Sequence, residues 1–285
     1  MRIAITGAGG NLGRAVTPRL LAAGHDLVLS DLAPIAETSD DSVAFVRADV
    51  ITGEGLDEAL AGSDLLLHLP AWHGIHVAGH SEDEFWRLNV DGTRNALEAA
   101  ARAGVRRVAF LSSQSWHERL GTYGFTKVID ELLLEYHRAH HGISYVALRP
   151  GDFTPWGDDW PRRYGARLLY GGVDRDDVAD AVVRSIDYLE DADAGVVLDV
   201  VRPNAFGAKA LEGWETDPLA AVERIFPGAA ELVTRFGLDI SRRPAITPTA
   251  GQAEVGWTAT RHFGTWVVEA RSMSDDAVRG MRCDY

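Results

Sequence analysis

The sequence holds a single cysteine, Cys283, among 285 residues. This excludes a disulfide framework and any metal centre built on thiolates, and it points to a reducing, cytoplasmic setting. No run of 18 apolar residues occurs, so no transmembrane helix is expected. The apolar opening at 1–6 is too short for a signal peptide and runs into glycines, not a cleavage site. Positive charge is scarce too: Lys and Arg number 28 against 42 Asp and Glu, for a formal net charge of −14. A surface that acidic repels phosphate backbones, so neither nucleic acid nor a membrane is an expected partner, and a small molecule is. Lysine is nearly missing. Only Lys127 and Lys209 stand among the 28 basic residues, so each is unusual in this chain. What remains, 46% hydrophobic and 25% charged residues, is ordinary for a soluble globular protein and excludes disorder over most of the length.

Short apolar runs alternate with amphipathic stretches. Strands are expected at 2–6, 26–30, 44–47, 64–69, 108–112 and 144–149, and helices at 11–23, 56–61, 82–103 and 121–141. The strands are apolar almost throughout, as strands covered on both faces should be, and the alternation predicts a parallel α/β sheet. Later, 173–188 reads as a helix, 195–201 as a strand, and 218–226 and 229–236 as short helices. The expected division is a dinucleotide-binding core at 1–150, a substrate-binding region interleaved with it at 151–270, and a flexible polar tail at 271–285.

Between the first strand and helix lies Thr6-Gly7-Ala8-Gly9-Gly10-Asn11-Leu12-Gly13. Gly7 permits a tight turn, Gly10 lets backbone approach a pyrophosphate, and Gly13 lets the helix pack on the sheet. The N–H groups of the helix start, at Asn11 and Leu12, face the phosphates. Asp31, ending the second strand, is placed to accept from adenosine ribose hydroxyls and to repel a 2′-phosphate. NAD is therefore expected over NADP, with Arg14 keeping NADP open; an ordinary strand-end turn is the alternative for Asp31. Asp49 and Val50 end the third strand, where an adenine ring would lie. Tyr123 and Lys127 are four apart on a helix, hence on one face. An ammonium near a phenol favours phenolate, so Tyr123 is the expected acid/base for a carbinol proton, with Lys127 as its support. Ser113, with Ser112 as the fallback, ends the fifth strand and is expected to hydrogen-bond the reacting oxygen.

Together these residues resemble the extended short-chain dehydrogenase/reductase superfamily, in its NAD-dependent epimerase/dehydratase group. The matching pieces are Thr6 to Gly13, Asp31, Asp49-Val50, Leu67-His68-Leu69-Pro70-Ala71, Asn89-Val90-Asp91-Gly92-Thr93, Ser112-Ser113, Tyr123 to Lys127 and Leu148-Arg149-Pro150. They cover residues 1–150 in the family's order. The resemblance implies a doubly wound Rossmann fold, a bound nicotinamide dinucleotide and a Ser113-Tyr123-Lys127 catalytic set. It also implies that Leu69, Ala71 and Pro150 line the cofactor path, that Asn89 lies near it, and that 82–103 and 121–141 build a homodimer. Gln114-Ser115 replaces the Asp-Glu pair of the family's dehydratases, which argues against dehydration. In size the chain is similar to the uronate dehydrogenases.

Loops after the fourth to sixth strands should meet the substrate: His73 and His76, Trp116 and His117, Phe153 and Trp156, with Arg162 and Arg163 to hold an anionic group. His73, His76 and His80 lack a carboxylate or thiolate at fitting spacing, so no metal is expected. The leading reading is an NAD-dependent oxidoreductase acting on a carbinol of a sugar-like molecule. An epimerase that retains its cofactor is the alternative, and a non-enzymatic dinucleotide sensor is a third reading.

Overall fold

The computed structural model describes residues 1–35, 41–153, 158–202, 209–244 and 249–283. In chain order its elements are β1 (Arg2–Thr6), α1 (Asn11–Ala22), β2 (Asp26–Asp31), β3 (Val43–Arg47), α2 (Leu56–Leu60), β4 (Leu65–His68), α3 (Glu82–Phe85), α4 (Gly92–Ala103), β5 (Arg107–Leu111), α5 (Thr122–His141) and β6 (Ser144–Pro150). These are followed by β7 (Asp158–Asp159), α6 (Gly165–Leu169), α7 (Arg175–Asp191), β8 (Gly195–Val200), α8 (Pro218–Ile225), α9 (Ala229–Phe236), α10 (Gln252–Val255), α11 (Phe263–Ser272), α12 (Asp275–Gly280) and β9 (Arg282–Cys283). The chain divides into two compact units. One holds Met1–Pro150, Ala179–Asp199 and Ala250–Trp257; the other holds Gly151–Val178, Val200–Thr249 and Thr258–Tyr285.

Seven strands form one sheet in the order β3-β2-β1-β4-β5-β6-β8. The pairs from β3 through β6 run parallel. This is the expected doubly wound Rossmann sheet, and its central strands are apolar because helices cover both faces: Ile3, Ala4, Ile5, Leu65, Leu66, Leu67, Val108 and Ala109 are fully buried. β3, at the edge, is correspondingly more exposed. One face packs Leu56, Leu60, Ala96, Leu97, Ala100 and Leu134 against Leu66, Val108 and Phe110. The 20-residue α5 ends where Gly142, at φ 64° and ψ 34°, caps it in the left-handed region.

The stretch 82–103 differs from its expected single helix. A Ser81–Glu84 capping box starts α3, but Trp86–Asp91 is a π-helical segment before α4 begins. Asn89 lies within this segment. Its fully buried side chain accepts from Trp72 N–H at 2.8 Å and donates to Trp72 C=O at 2.9 Å, fastening the loop after β4 to this turn. Turns of this kind recur where a helix must present a polar group inward.

The second unit has its own aromatic core. Trp266 stacks on Phe263 with ring centroids 5.1 Å apart and lies 6.0 Å from Trp160, and Trp214, Leu232 and Val267 complete the cluster. The segment from 271, a flexible tail in the sequence expectation, carries α12 and β9. Ser274 caps α12 by accepting from Ala277 N–H, Val278 is fully buried, and β9 pairs antiparallel with β7. One buried valine supplies the anchor that the polar composition conceals. Replacing Trp266 with Ala should cost about 3–5 kcal/mol of stability, as loss of a buried indole generally does, read as a lowered midpoint in urea unfolding.

Candidate active site

The glycine turn is built as the sequence requires. Gly7 holds φ +71°, which a side chain would strain, and a Cβ on Gly13 would overlap the Ala8 carbonyl, so only glycine lets α1 start this close to β1. Gly10 is the N-cap and accepts from Arg14 N–H at 3.0 Å. The first helical turn, at Asn11 and Leu12, carries the positive end of the helix dipole. The Leu12 side chain itself is buried in the core. Asp31 folds over this turn: its Oδ2 accepts from Gly9 N–H at 2.9 Å and its Oδ1 from Leu32 N–H at 2.7 Å. A carboxylate has about four acceptor sites, so two are left for a diol. Asp49 instead accepts from Ile51 N–H two residues on, at 2.8 Å, and Val50 packs against Gly92. Leu69 is buried, with its N–H on the Thr6 carbonyl, while Ala71 is half-buried.

α5 carries the Tyr-Lys pair. Tyr123 is half-buried in the first turn, and its hydroxyl has no partner among the described residues. Its carbonyl accepts from the Thr126 hydroxyl at 2.8 Å, and Thr126 in turn accepts from Asn89 at 2.9 Å. Asn89 therefore connects the loop after β4 to the start of α5. A Cβ on Gly124 would overlap the Ser115 carbonyl, so this glycine sets α5 directly on the turn that follows Ser113. Lys127 is 1% exposed. Its ammonium donates to the Leu111 carbonyl at 3.1 Å and to Asp130 Oδ2 at 3.2 Å, and lies 4.8 Å from the centroid of the Phe110 ring.

Partners separate the two serines. Ser112 donates to Glu131 Oε1 at 2.5 Å and is fully buried. Ser113 caps the turn Gln114–Glu118 by accepting from Ser115 N–H at 3.1 Å, and its own hydroxyl proton has no acceptor among the described residues. Glu131 also holds Arg149 in a two-pronged pair, at 2.8 and 2.5 Å. The Arg149 guanidinium lies 3.9 Å from the centroid of Trp116, so one face of that indole is already covered, and His117 meets Trp116 edge-on at 5.3 Å.

The loop after β4 brings imidazoles to Tyr123. The His73 ring lies 6.5 Å from the Tyr123 ring, and Gly74 borders the same phenol. His76 Nδ1 accepts from His73 N–H at 3.1 Å, which fixes its proton on Nε2, and Trp72 stacks on His80 at 3.9 Å. Burial, with His76 and Lys127 adding, holds His73 down at about 4; burial and His80 lower His76. Ser81 and His80 hold Glu84 down at about 2. Pro150 is buried at the end of β6. In the second unit Phe153 is half-buried, while Arg162 and Arg163 are exposed on the π-helical segment Trp160–Tyr164. Trp156 lies outside the described residues.

Sequence reasoning missed the groups beneath the pair. His68 ends β4, buried, with Nδ1 2.8 Å from Thr6 Oγ1 and Nε2 3.3 Å from Thr93 Oγ1. Burial, reinforced by Lys127, holds it down at about 3. Asp130 and Glu131 follow Lys127 by three and four residues, the spacing that places them on its face, and this signal was available. His68 ionises near 6.5 once unfolded but stays neutral in the fold to about 3, so its contribution is intact above 6.5 and declines as pH falls through that window. His68→Gln removes that titration. Wild type should lose about 1 kcal/mol per pH unit relative to the variant below roughly pH 6, measured by urea unfolding at several pH values.

The comparisons with known proteins fit this geometry. The NAD dependent epimerase/dehydratase family matches residues 3–159. A Mycobacterium tuberculosis protein of uncharacterised function is 39% identical over 153 residues, 52% of this chain and 14% of that one. The chain thus spans a small part of that relative. L-arabinose 1-dehydrogenase (NAD(P)(+)) of Haloferax volcanii is 32% identical over 177 residues, 53% of this chain and 66% of that one. Uronate dehydrogenase of Pseudomonas putida is 25% identical over 200 residues, 65% and 71%. Among solved structures, MoeE5 in complex with UDP-glucuronic acid and NAD superposes with a TM-score of 0.69 at 22% identity, over 96% of this chain and all of that one, a likeness of fold. With the glycine turn, the Tyr-Lys helix and more than half of the chain matched in one order, this protein belongs to the NAD-dependent epimerase/dehydratase family.

Proposed function

We propose that the chain is an NAD-dependent oxidoreductase that oxidises a carbinol of a sugar or sugar-like substrate. One observation carries the reading: a phenol hydroxyl without a partner among the described residues, at Tyr123, stands one helical turn from a buried ammonium, at Lys127, on a helix that packs against the turn whose start, Ser113, has a hydroxyl proton to give. The dinucleotide fits the residues present. The start of α1 offers N–H groups to a pyrophosphate, in a turn that leaves no room for a Cβ at Gly13, and Asp31 keeps acceptor capacity for a ribose diol, favouring NAD over NADP. Gly7, Gly10, Asn11, Leu12, Asp31, Leu69, Ala71, Asn89 and Lys127 would hold it. When bound, NAD supplies the acceptor for the hydride that leaves the carbinol carbon.

The chain's own residues handle the proton and the oxygen. Ser113 donates to the carbinol oxygen and orients it, and Tyr123 takes the hydroxyl proton as the C–H bond breaks. The positive charge of Lys127 favours the anionic form of the phenol oxygen during that transfer. Two of the three ammonium donors are engaged with Leu111 and Asp130, which leaves one for a ribose hydroxyl. His73 is kept neutral, so it serves the substrate as a hydrogen-bonding wall and not as a charge. His76, Trp116 and His117 extend that wall; Phe153, Arg162 and Arg163 are assigned to substrate selection in the second unit.

Phe125, Leu132 and Tyr136 lie exposed along α5, and Trp86 packs its ring 6.4 Å from Phe125; an apolar face of this kind suits a homodimer. Among the described residues no helix is long and apolar enough to cross a membrane, and the single cysteine suits a cytoplasmic setting.

The test is NADH formation, followed by absorbance, with NAD and a panel that includes glucuronate and L-arabinose. Tyr123→Phe should lower kcat by about 10²- to 10⁴-fold while NADH binding, read by fluorescence, changes little. Unchanged turnover in that variant would overturn the assignment. An isomerised product without net NADH would make the enzyme an epimerase.

A further inference from the structure

Asp130 is a buried acid for which the proposed chemistry has no use. It is fully buried, its Oδ2 lies 3.2 Å from Lys127 Nζ, and its Oδ1 has no hydrogen-bond partner among the described residues. The groups that face it come from three elements: Lys127 and Glu131 on α5, the Thr93 hydroxyl on α4, and through Thr93 the imidazole of His68 at the end of β4. Glu131 is committed to Arg149 on β6, and His68 is neutral, so Lys127 is the one positive charge in direct contact with Asp130. Removing a buried ammonium's counter-charge is costly, and leaving it in place mutes the ammonium's field.

We infer that Asp130 is a positioning residue for Lys127: it holds the ammonium over the Phe110 ring and sets how much of its positive charge reaches a bound dinucleotide and the Tyr123 hydroxyl. The part that concerns the dinucleotide rests on the NAD reading above. Two states follow. With the carboxyl ionised, the pair is neutral overall and the ammonium is drawn toward Asp130. With the carboxyl protonated, the pair carries a full positive charge and the ammonium is released toward the ligand. Burial pushes the Asp130 carboxyl up to about 7, with Lys127 and Thr93 pulling it back, so the two states exchange near neutral pH.

The experiment has two arms. In the first, the full chain is labelled with carboxyl-¹³C aspartate and titrated by NMR without any ligand. A resonance absent from Asp130→Asn should titrate near pH 7, and Lys127→Met should move that midpoint up by at least one unit. Thr93→Val, which keeps the pair and removes one hydroxyl, should move it up by less, and it serves if Asp130→Asn does not fold. A midpoint in the ordinary carboxylate range, or one indifferent to Lys127→Met, overturns the proposal whatever the enzyme does. In the second arm, NADH affinity is read by fluorescence from pH 6 to 8. It should weaken several-fold across that range in wild type and stay flat in Asp130→Asn. The same slope in both would overturn the link from Asp130 to the ligand. Absence of NADH binding at every pH in wild type would instead sink the NAD reading and leave the first arm to judge the pair.

Discussion

A buried ammonium is the constraint around which the site is arranged. Taking a lysine charge out of water is expensive unless each of its donors and its field are answered. Lys127 is answered by a carbonyl from the end of β5, a carboxyl from its own helix and the face of Phe110. Its reach extends further. The same charge contributes to keeping His68 and His73 unprotonated, so the imidazoles around the phenol are neutral hydrogen-bonding groups and not competing cations. One buried positive charge thereby sets the polarity around the phenol.

A second ion pair organises the other side. Glu131 takes both the Ser112 hydroxyl and the Arg149 guanidinium, and Arg149 carries Trp116 on its face. Through these contacts α5, β5 and β6 are joined at their active ends, and the turn bearing Ser113 is held between them. The arrangement also allocates the serines: Ser112 is spent on structure, and Ser113 keeps its proton. α5 thus brings four of these residues together on one helix, Tyr123, Lys127, Asp130 and Glu131, the last two paired with Lys127 and Arg149.

Much of this was legible in the sequence, and the exceptions have physical reasons. The sheet could be read because its strands are apolar on both faces, a pattern that little besides a covered parallel sheet produces, and the glycine turn because its spacing is tied to one strand and one helix. Tyr123 and Lys127 stood out because lysine is nearly missing from the chain. His68 did not stand out, since one histidine in an apolar run reads as part of the strand. Asp130 and Glu131 share the helix face of Lys127 by their spacing, but spacing alone does not show that they are buried with it. Asp49, which its place at a strand end suggests for a ligand, also accepts from Ile51 N–H in its own turn. In the second unit, the anchoring of α12 rests on one valine in a polar stretch, too weak a signal to read.

The π-helical segment at Trp86–Asp91 has a consequence for registers. A wide turn takes up one residue more than an α-turn, so each side chain after it lies about 100° less far round the axis than counting along the chain suggests. The face that Thr93 shares with His68 is defined only after that offset is applied. Deleting a single residue between 86 and 91 would close the wide turn into a regular helix and leave the residues after it in register, so Thr93 would keep its place at the imidazole while the turn that presents Asn89 to its loop would be lost.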